Sequence, residues 1–428
     1  MPAYSGKFQY LDESKDESGA ALQQGPCQLS FDADTCTVTP ASGTPIAFDL
    51  GDVEQATPGE WEFQLALYTG KRIGLGQFGP AFGRMSDELL AAWRDRTVRC
   101  LLLEDLEEIA RYAGTAGGGA AEIRLYGSNL AVLPLAAPPL QWRLAEVDSV
   151  AFDEATYTIR LTAAGESLAI GKLAKKTDEF RQKLQSALDV LHTRSAEALH
   201  ITFPFLNPDQ LQRLLVAMPE GCRVKLPALA AIHPKLPESL VAGAVDTPLR
   251  PYFDALRTRS AADRLMTGFK FVRPDEPKQG EEQDQKPDEK PDEEIPGNQQ
   301  NEQAAPAECD PEPANRPPLF FWFFFPMAAG GLVAWEATTG TGRATYFFRV
   351  AEPVEPAIVR LTRGLALVNF RREPVYLSDD SLDRQQRYHR YAIGCRKLPD
   401  LRSLRAAFVG RAIHTTLQAW QAQVDGVR

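Results

Sequence analysis

The sequence predicts an α+β chain: two tandem antiparallel β modules, each capped by a C-terminal helix, a disordered acidic linker, and a small α+β C-terminal domain with basic helices. Three observations predict it: an internal repeat, a charge run confined to one segment, and dense apolar strands followed by helical periodicity. The chain has 428 residues, enough for several domains at about 100–200 residues each. Apolar residues make up 44% and charged residues 24%, which is the composition of a globular chain with buried cores. It excludes a wholly disordered chain, a disulfide-dense secreted module and a uniformly basic nucleic-acid binder.

The repeat comes first. Cys36-Thr-Val38-Thr-Pro40 and Ile46-Ala-Phe48-Asp-Leu50-Gly-Asp52-Val53 align without a gap with Leu130-Ala-Val132-Leu-Pro134 and Leu140-Gln-Trp142-Arg-Leu144-Ala-Glu146-Val147. Alternating strands follow, with Trp61, Phe63, Leu65 and Leu67 in one copy and Tyr157, Ile159 and Leu161 in the other. Period-two alternation gives one buried and one wet face, as an antiparallel meander requires. Five strands are legible in each copy.

Each meander then passes into a helix. Ser86-Asp87-Glu88-Leu89 matches Thr177-Asp178-Glu179-Phe180, so a hydroxyl N-cap and two acids near the positive helix end are expected at each start. Leu89, Leu90 and Trp93 correspond to Phe180, Leu184 and Leu188, a stripe at helical spacing that covers the open end of a curved sheet. This order of strands closed by one amphipathic helix resembles the pleckstrin-homology-like (PH-like) fold, which includes GRAM-type domains. The resemblance covers about 25–99 and 120–193. It implies modules that bind lipids, peptides or protein partners, and fold alone does not choose among these.

The expected domains are a flexible N-terminus at 1–24, PH-like module 1 at 25–115, PH-like module 2 at 120–195, an α/β extension at 196–273, the acidic linker at 274–318, and the C-terminal α+β domain at 319–428. In the extension, 200–205 reads as a strand, 207–217 as a capped helix, 224–226 as a strand and 251–266 as a helix. The net charge of −10 belongs to one segment, because 275–316 alone holds fourteen acidic and four basic residues. Such a segment cannot offset the entropy of ordering. Beyond it, 319–335 is a run of seventeen uncharged residues, near the lower limit of a membrane span. Pro326 and Gly330-Gly331 interrupt it, so it reads as two apolar strands, 319–325 and 332–338, followed by a third at 343–350. Helical spacing of Ile358, Leu361, Leu365 and Val368 predicts a helix over 357–372. A final helix begins after Asp400, carrying Leu401, Leu404, Phe408, Ala412 and Trp420 on one face.

No catalytic constellation stands out. Gly74-Leu-Gly76-Gln-Phe-Gly79 fits GxGxxG, but Pro80 intervenes and βαβ context is missing, so it reads as a strand-to-helix loop. The five histidines (His192, His200, His233, His389, His414) lack metal spacing, and His414 is placed on the last helix near Arg411. No GxSxG elbow is present. The six cysteines (Cys27, Cys36, Cys100, Cys222, Cys309, Cys395) are scattered, which suits a reducing compartment. With a polar N-terminus and no leader pattern, the expected location is the cytoplasm.

Residues 356–428 hold thirteen basic and six acidic residues. Arg363, Arg371, Arg372, Arg402, Arg405 and Arg411 are therefore candidates for an anion or acidic-partner site. Lys172, Lys175 and Lys176 form a weaker second set. No cofactor, metal or integral membrane segment is expected. The functional reading is a non-catalytic scaffold or adaptor that binds proteins. The alternatives are anionic-lipid or nucleic-acid binding by the basic domain, masked by the acidic linker, and an enzyme with an unrecognised site. Limited proteolysis should cut first within 274–318, because that stretch has nothing to bury. A protease-resistant band at full length would reject the linker.

Overall fold

The protein is described by a computed structural model. It describes residues 3–12, 21–103, 106–135, 137–163, 165–245, 247–271, 319–328, 330–337, 344–351, 353–368, 373–385, 387–414 and 416–426. The expected linker at 274–318 lies outside the described residues.

The first module is a seven-stranded antiparallel sheet of β1 (Ala3–Asp12), β2 (Ala21–Phe31), β3 (Thr35–Pro40), β4 (Ile46–Asp49), β5 (Val53–Pro58), β6 (Glu62–Leu67) and β7 (Lys71–Gly76), in the order β4-β3-β2-β1-β7-β6-β5. Alternate residues such as Phe63, Leu65, Ile73 and Leu75 are fully buried. Helix α1 (Phe82–Cys100) closes the open side with Met85, Leu89 and Trp93. The Trp93 Nε1–H donates to Val53 O at 3.1 Å, so the large apolar ring leaves no orphan donor.

Two expectations fail here. The N-terminus expected to be flexible supplies β1, the strand at the centre of the sheet, bonded to β2 on one side and β7 on the other. Its inner face carries Gly6 between Tyr4 and Phe8; a Cβ there would stand 2.7 Å from the Phe78 ring. That glycine breaks the apolar alternation that sequence reading looks for. The hydroxyl cap is also displaced: Ser86 lies inside α1, which begins four residues earlier after a 3-10 turn at Gly79–Ala81.

The second module repeats the design. Strands β8 (Glu108–Ala116), β9 (Gly119–Tyr126), β10 (Asn129–Pro134), β11 (Leu140–Arg143), β12 (Ser149–Asp153), β13 (Thr158–Ala163) and β14 (Glu166–Gly171) take the order β11-β10-β9-β8-β14-β13-β12. Helix α2 (Thr177–Thr202) buries Phe180, Leu184 and Ala187 beneath it. β8 begins inside the stretch assigned to module 1, so the boundary falls earlier than expected. Thr177 is the first helical residue and bonds back to Ala174 O at 3.0 Å rather than capping forward. Gly114 repeats Gly6, with a Cβ position 2.7 Å from Leu173 Cδ2. Both modules thus have the PH-like arrangement, a seven-stranded sheet followed by one capping helix.

The third domain holds a six-stranded sheet in sequence order: β15 (Val224–Lys225), β16 (Met266–Phe271), β17 (Leu319–Pro326), β18 (Leu332–Ala337), β19 (Ala344–Phe348) and β20 (Phe408–Ile413). The dense apolarity of β17 follows from helices on both faces. One face sets Phe320, Trp322 and Phe324 against α6 (Val354–Val368), α7 (Glu373–Tyr376), α8 (Asp379–Arg384), α9 (His389–Lys397) and α10 (Pro399–Ala407). The other sets Phe321, Phe323 and Phe325 against the end of α2, α3 (Pro208–Ala217), α4 (Leu236–Ala244), α5 (Arg250–Arg259) and α11 (Leu417–Gly426). The capped helix expected at 207–217 is α3, and Asn207 and Gln210 form a capping box at its start. Among the described residues no helix is long and apolar enough to cross a membrane.

The corrections here share one cause, tertiary pairing overriding local pattern. The expected strand at 200–205 is the end of α2 and a turn, because Ala198, Leu199 and Phe203 enter the helix-covered core. The expected last helix is interrupted by β20, whose backbone pairs with β19; His414 follows that strand instead of lying on a helix. The extension at 196–273 and the domain at 319–428 are one body, because β16 and β17 are direct neighbours with Phe271 opposite Leu319. The acidic segment is therefore an insertion within a hairpin. Closing a loop costs free energy as (3/2)RT ln n, so replacing 272–318 by a four-residue turn should keep the fold and add about 2 kcal/mol of stability. Urea denaturation of the shortened chain checks this, and a destabilised product would show that the insertion contributes contacts.

Candidate functional site

The candidate arginines face different partners. Arg363 on α6 reaches module 2, where its Nε and Nη2 each lie 2.6 Å from Glu146 Oε2. Arg405 on α10 donates to Pro374 O, to Leu377 O at 2.7 Å and to Asp379 Oδ1 at 2.6 Å. Arg411 lies over the Tyr376 ring at 4.1 Å, and Arg402 donates to Arg396 O at 3.0 Å. Arg371 and Arg372 lie outside the described residues. Lys172, Lys175 and Lys176 are exposed in the loop after β14, with Lys176 Nζ 5.9 Å from the Tyr112 ring. Arg363 and Arg405 hold the fold together, while the lysine loop faces solvent.

Charged residues missed by sequence reading concentrate where bodies meet. Where module 1 meets the third domain, Asp49 accepts from Arg96 of its own module, Nε at 2.8 Å and Nη2 at 2.6 Å, and His389 Nε2 of α9 lies 3.4 Å from Oδ2, the oxygen that also takes Nη2. Burial raises the Asp49 carboxyl, but Arg96, the Gly51 N–H and His389 outweigh it and hold it below the usual range. Arg396 bridges Asp52 at 2.9 Å and Asp383 at 3.2 Å. Lys397, 3% exposed, donates to Val53 O at 2.8 Å, and burial pulls its ammonium down to about 8. Between the modules, Arg124 joins Asp95 and Glu122 at 2.7 Å each. Apart from Glu122 on the same strand as Arg124, these partners are far apart in sequence, so no local signal marks them.

A different pair of positions is shared by the repeats and open to solvent. Trp61 stands just before β6 and Tyr157 just before β13, and they are 76% and 64% exposed. Beside them, Gln77 follows β7 and Lys172 follows β14, both with left-handed backbones at φ 58° and 55°. Each module's helix is tied to its first strand in the same manner, Tyr4 to Glu88 at 2.6 Å and Tyr112 to Glu179 at 3.2 Å. Sequence reading placed both aromatics inside strands; they stand one residue before β6 and β13 instead, Trp61 at a bend and Tyr157 in a turn with φ 50°. The GxGxxG run is the strand-to-helix loop the sequence implied, with Gly79 and its counterpart Ala174 both left-handed.

Among the described residues no group of three or more His, Cys, Asp or Glu side chains is placed to hold a metal ion. No family model matches the chain, and no curated protein matches it. Solved structures do match. The N-terminal PH domain of human ARAP2 is 12% identical with a TM-score of 0.18, over 22% of this chain and 83% of that one. The Spt16D–Pob3N heterodimer is 14% identical with a TM-score of 0.16, over 44% of this chain and 90% of that chain.

Lys397 gives the interface a pH signature. Its folded value lies below an unfolded value near 10.4, so folding disfavours the proton. The penalty is complete below about pH 8 and disappears as pH rises toward 10. Buried Cys100 and half-buried Cys222 and Cys395, each raised to about 11 by loss of water around the thiol, act in the opposite direction. The readable quantity is therefore a difference between variants. Lys397→Met should gain up to about 3 kcal/mol over wild type at pH 7, and the gap should close by pH 10. Val53 O keeps Trp93 as its donor. Denaturation midpoints at several pH values check this, and a gap that is constant with pH would contradict it.

Proposed function

We propose that the chain is a non-catalytic scaffold or adaptor that binds protein partners through its tandem PH-like modules. One observation carries this reading: two large aromatic side chains, Trp61 and Tyr157, stand at the same position of both repeats and are mostly exposed. Exposed tryptophan and tyrosine gain little from folding and are the residue types that anchor protein interfaces. The charged groups support the same reading, since Arg363, Arg396 and Arg405 are engaged within the fold. The free cysteines, Cys27, Cys36 and Cys100 buried and Cys222 and Cys395 half-buried, fit the expected reducing compartment.

The test is quantitative affinity capture from the source cells with the full chain, wild type against Trp61→Ala, Tyr157→Ala and the double variant. Hot-spot truncation costs 2 kcal/mol or more, about thirtyfold in affinity. Each single variant should lose a shared partner by that order, and the double variant should lose it wholly, with unchanged melting because both side chains are exposed. Anionic liposomes and RNA form parallel arms. Salt-sensitive binding there, unaffected by the double variant, would replace the adaptor reading with the anionic-ligand one.

A further inference from the structure

The two exposed aromatic tips carry opposite charge. Trp61 is the second residue of a two-residue turn between β5 and β6, closed by the Gly59 N–H donating to Glu62 O at 2.8 Å. A glutamate stands on each side of it, Glu60 in the turn and Glu62 at the start of β6, and both are exposed. Glu62 lies across Gly74, where any Cβ would collide with its Oε1. The adjoining loop after β7, 77–81, is uncharged.

At the other tip, Tyr157 ends a turn that Asp153 ties from within. Oδ1 of Asp153 accepts from the Ala155 N–H at 2.9 Å and Oδ2 from the Thr156 hydroxyl at 2.7 Å. The Tyr157 ring meets Phe152 edge to face at 6.1 Å, and the Arg181 guanidinium, 3.4 Å from Asp178, lies 4.1 Å over Phe152. Lys172 stands beside Tyr157, because Gly171 packs next to Thr158 at the end of the β13–β14 ladder. Lys175 follows in the same loop, and both lysines are exposed. Residues 59–62 and 77–81 together hold two acids and no base, whereas 153–158 and 172–176 hold three bases and two acids. Among the described residues no ion pair engages Glu60, Glu62, Lys172 or Lys175.

We propose that the Trp61 tip of one copy docks on the Tyr157 tip of a second copy, so that the chain associates head to tail. Charge decides the pairing. Two Trp61 tips would set glutamates against glutamates, and two Tyr157 tips would set lysines against lysines, both repulsive. Unlike tips bring Glu60 and Glu62 onto Lys172 and Lys175 while the indole packs on the phenol ring in an offset or edge-on contact. Each copy carries both halves of this contact, so association continues from copy to copy unless the rotation closes a ring. One tip on another is a small interface, which sets a Kd on the order of 100 μM. This association is independent of the adaptor reading, and a partner covering either tip would compete with it.

The experiment is sedimentation velocity of the full chain from about 5 to 300 μM, a range that brackets that Kd. The mean mass of wild type should rise above monomer with concentration, and Trp61→Ala should weaken the association at least tenfold. Two charge-reversed variants make the test specific. Glu60→Lys with Glu62→Lys makes both tips basic, and Lys172→Glu with Lys175→Glu makes both acidic. Each should stay monomeric alone with unchanged melting, since the four side chains are exposed. Their equimolar mixture should associate like wild type, because every unlike pair is restored. Wild type that stays monomeric throughout the range would overturn the proposal, as would association unmoved by either reversal or not restored by mixing. Capture of a cellular partner by the same wild-type chain is read separately: capture that depends on Trp61, by a chain that never self-associates, would reject this inference and leave the adaptor reading standing.

Discussion

Pairing of β16 with β17 is the contact on which the remaining architecture depends. Six residue pairs, from Met266 opposite Phe324 to Phe271 opposite Leu319, join segments separated by the long acidic insertion. Closing that loop costs only the logarithm of its length, whereas each buried aromatic on the two strands contributes about 1.5–3 kcal/mol. The pairing also places alternate β17 side chains in different cores. The first core collects Leu101, Leu102 and Leu103 from the end of module 1 and Tyr126, Ala131 and Leu133 from module 2. One sheet therefore fixes both modules, and a register slip of one residue would exchange the two faces along the entire strand.

Electrostatics then sets the fit between bodies that hydrophobic burial brings together. Asp52 with Arg396, Glu146 with Arg363, and Arg124 with Asp95 are partly or largely buried. Removing such charges from water offsets most of what their attraction returns. Their effect is felt against wrong arrangements: a shifted module would leave a desolvated arginine or carboxylate unpaired, at several kcal/mol. Gly51 shows how little tolerance remains, since a Cβ there would stand 2.8 Å from Cys100 Sγ and 2.9 Å from Ile393 Cδ1. Part of the basic character of the third domain is thus an interface property, through Arg363 and Arg396, which meet acids on module 2 and module 1.

Local chemistry explains what was legible in the sequence. Strands with clean alternation, such as β6 and β13, and the apolar pair β17–β18 were readable because one or both faces are buried continuously. The gapless repeat identified equivalent elements before any pairing was known. β1 was not readable because Gly6 stands where an apolar residue would complete the pattern. The interruption of the last helix by β20 reflects a long-range partner, β19, that no window of sequence contains. The partner of Arg363 was not readable for the same reason: a cluster along the chain says nothing about which carboxylate lies across an interface 217 positions away.

The shared core has a consequence for how the adaptor reading works. Modules joined by a flexible tether would present Trp61 and Tyr157 at a distribution of separations. Here α1, the 101–103 segment and the third domain bury a common set of side chains, so the separation of the two aromatic tips is set by packing. A partner contacting both tips meets them at one spacing and forgoes the entropy loss of ordering a tether. The gain exists only for partners whose own contacts match that spacing, so rigidity converts two weak, generic aromatic contacts into a geometric filter. Selectivity in such a device resides less in either module than in the ion pairs and small residues that hold the modules apart at a constant distance.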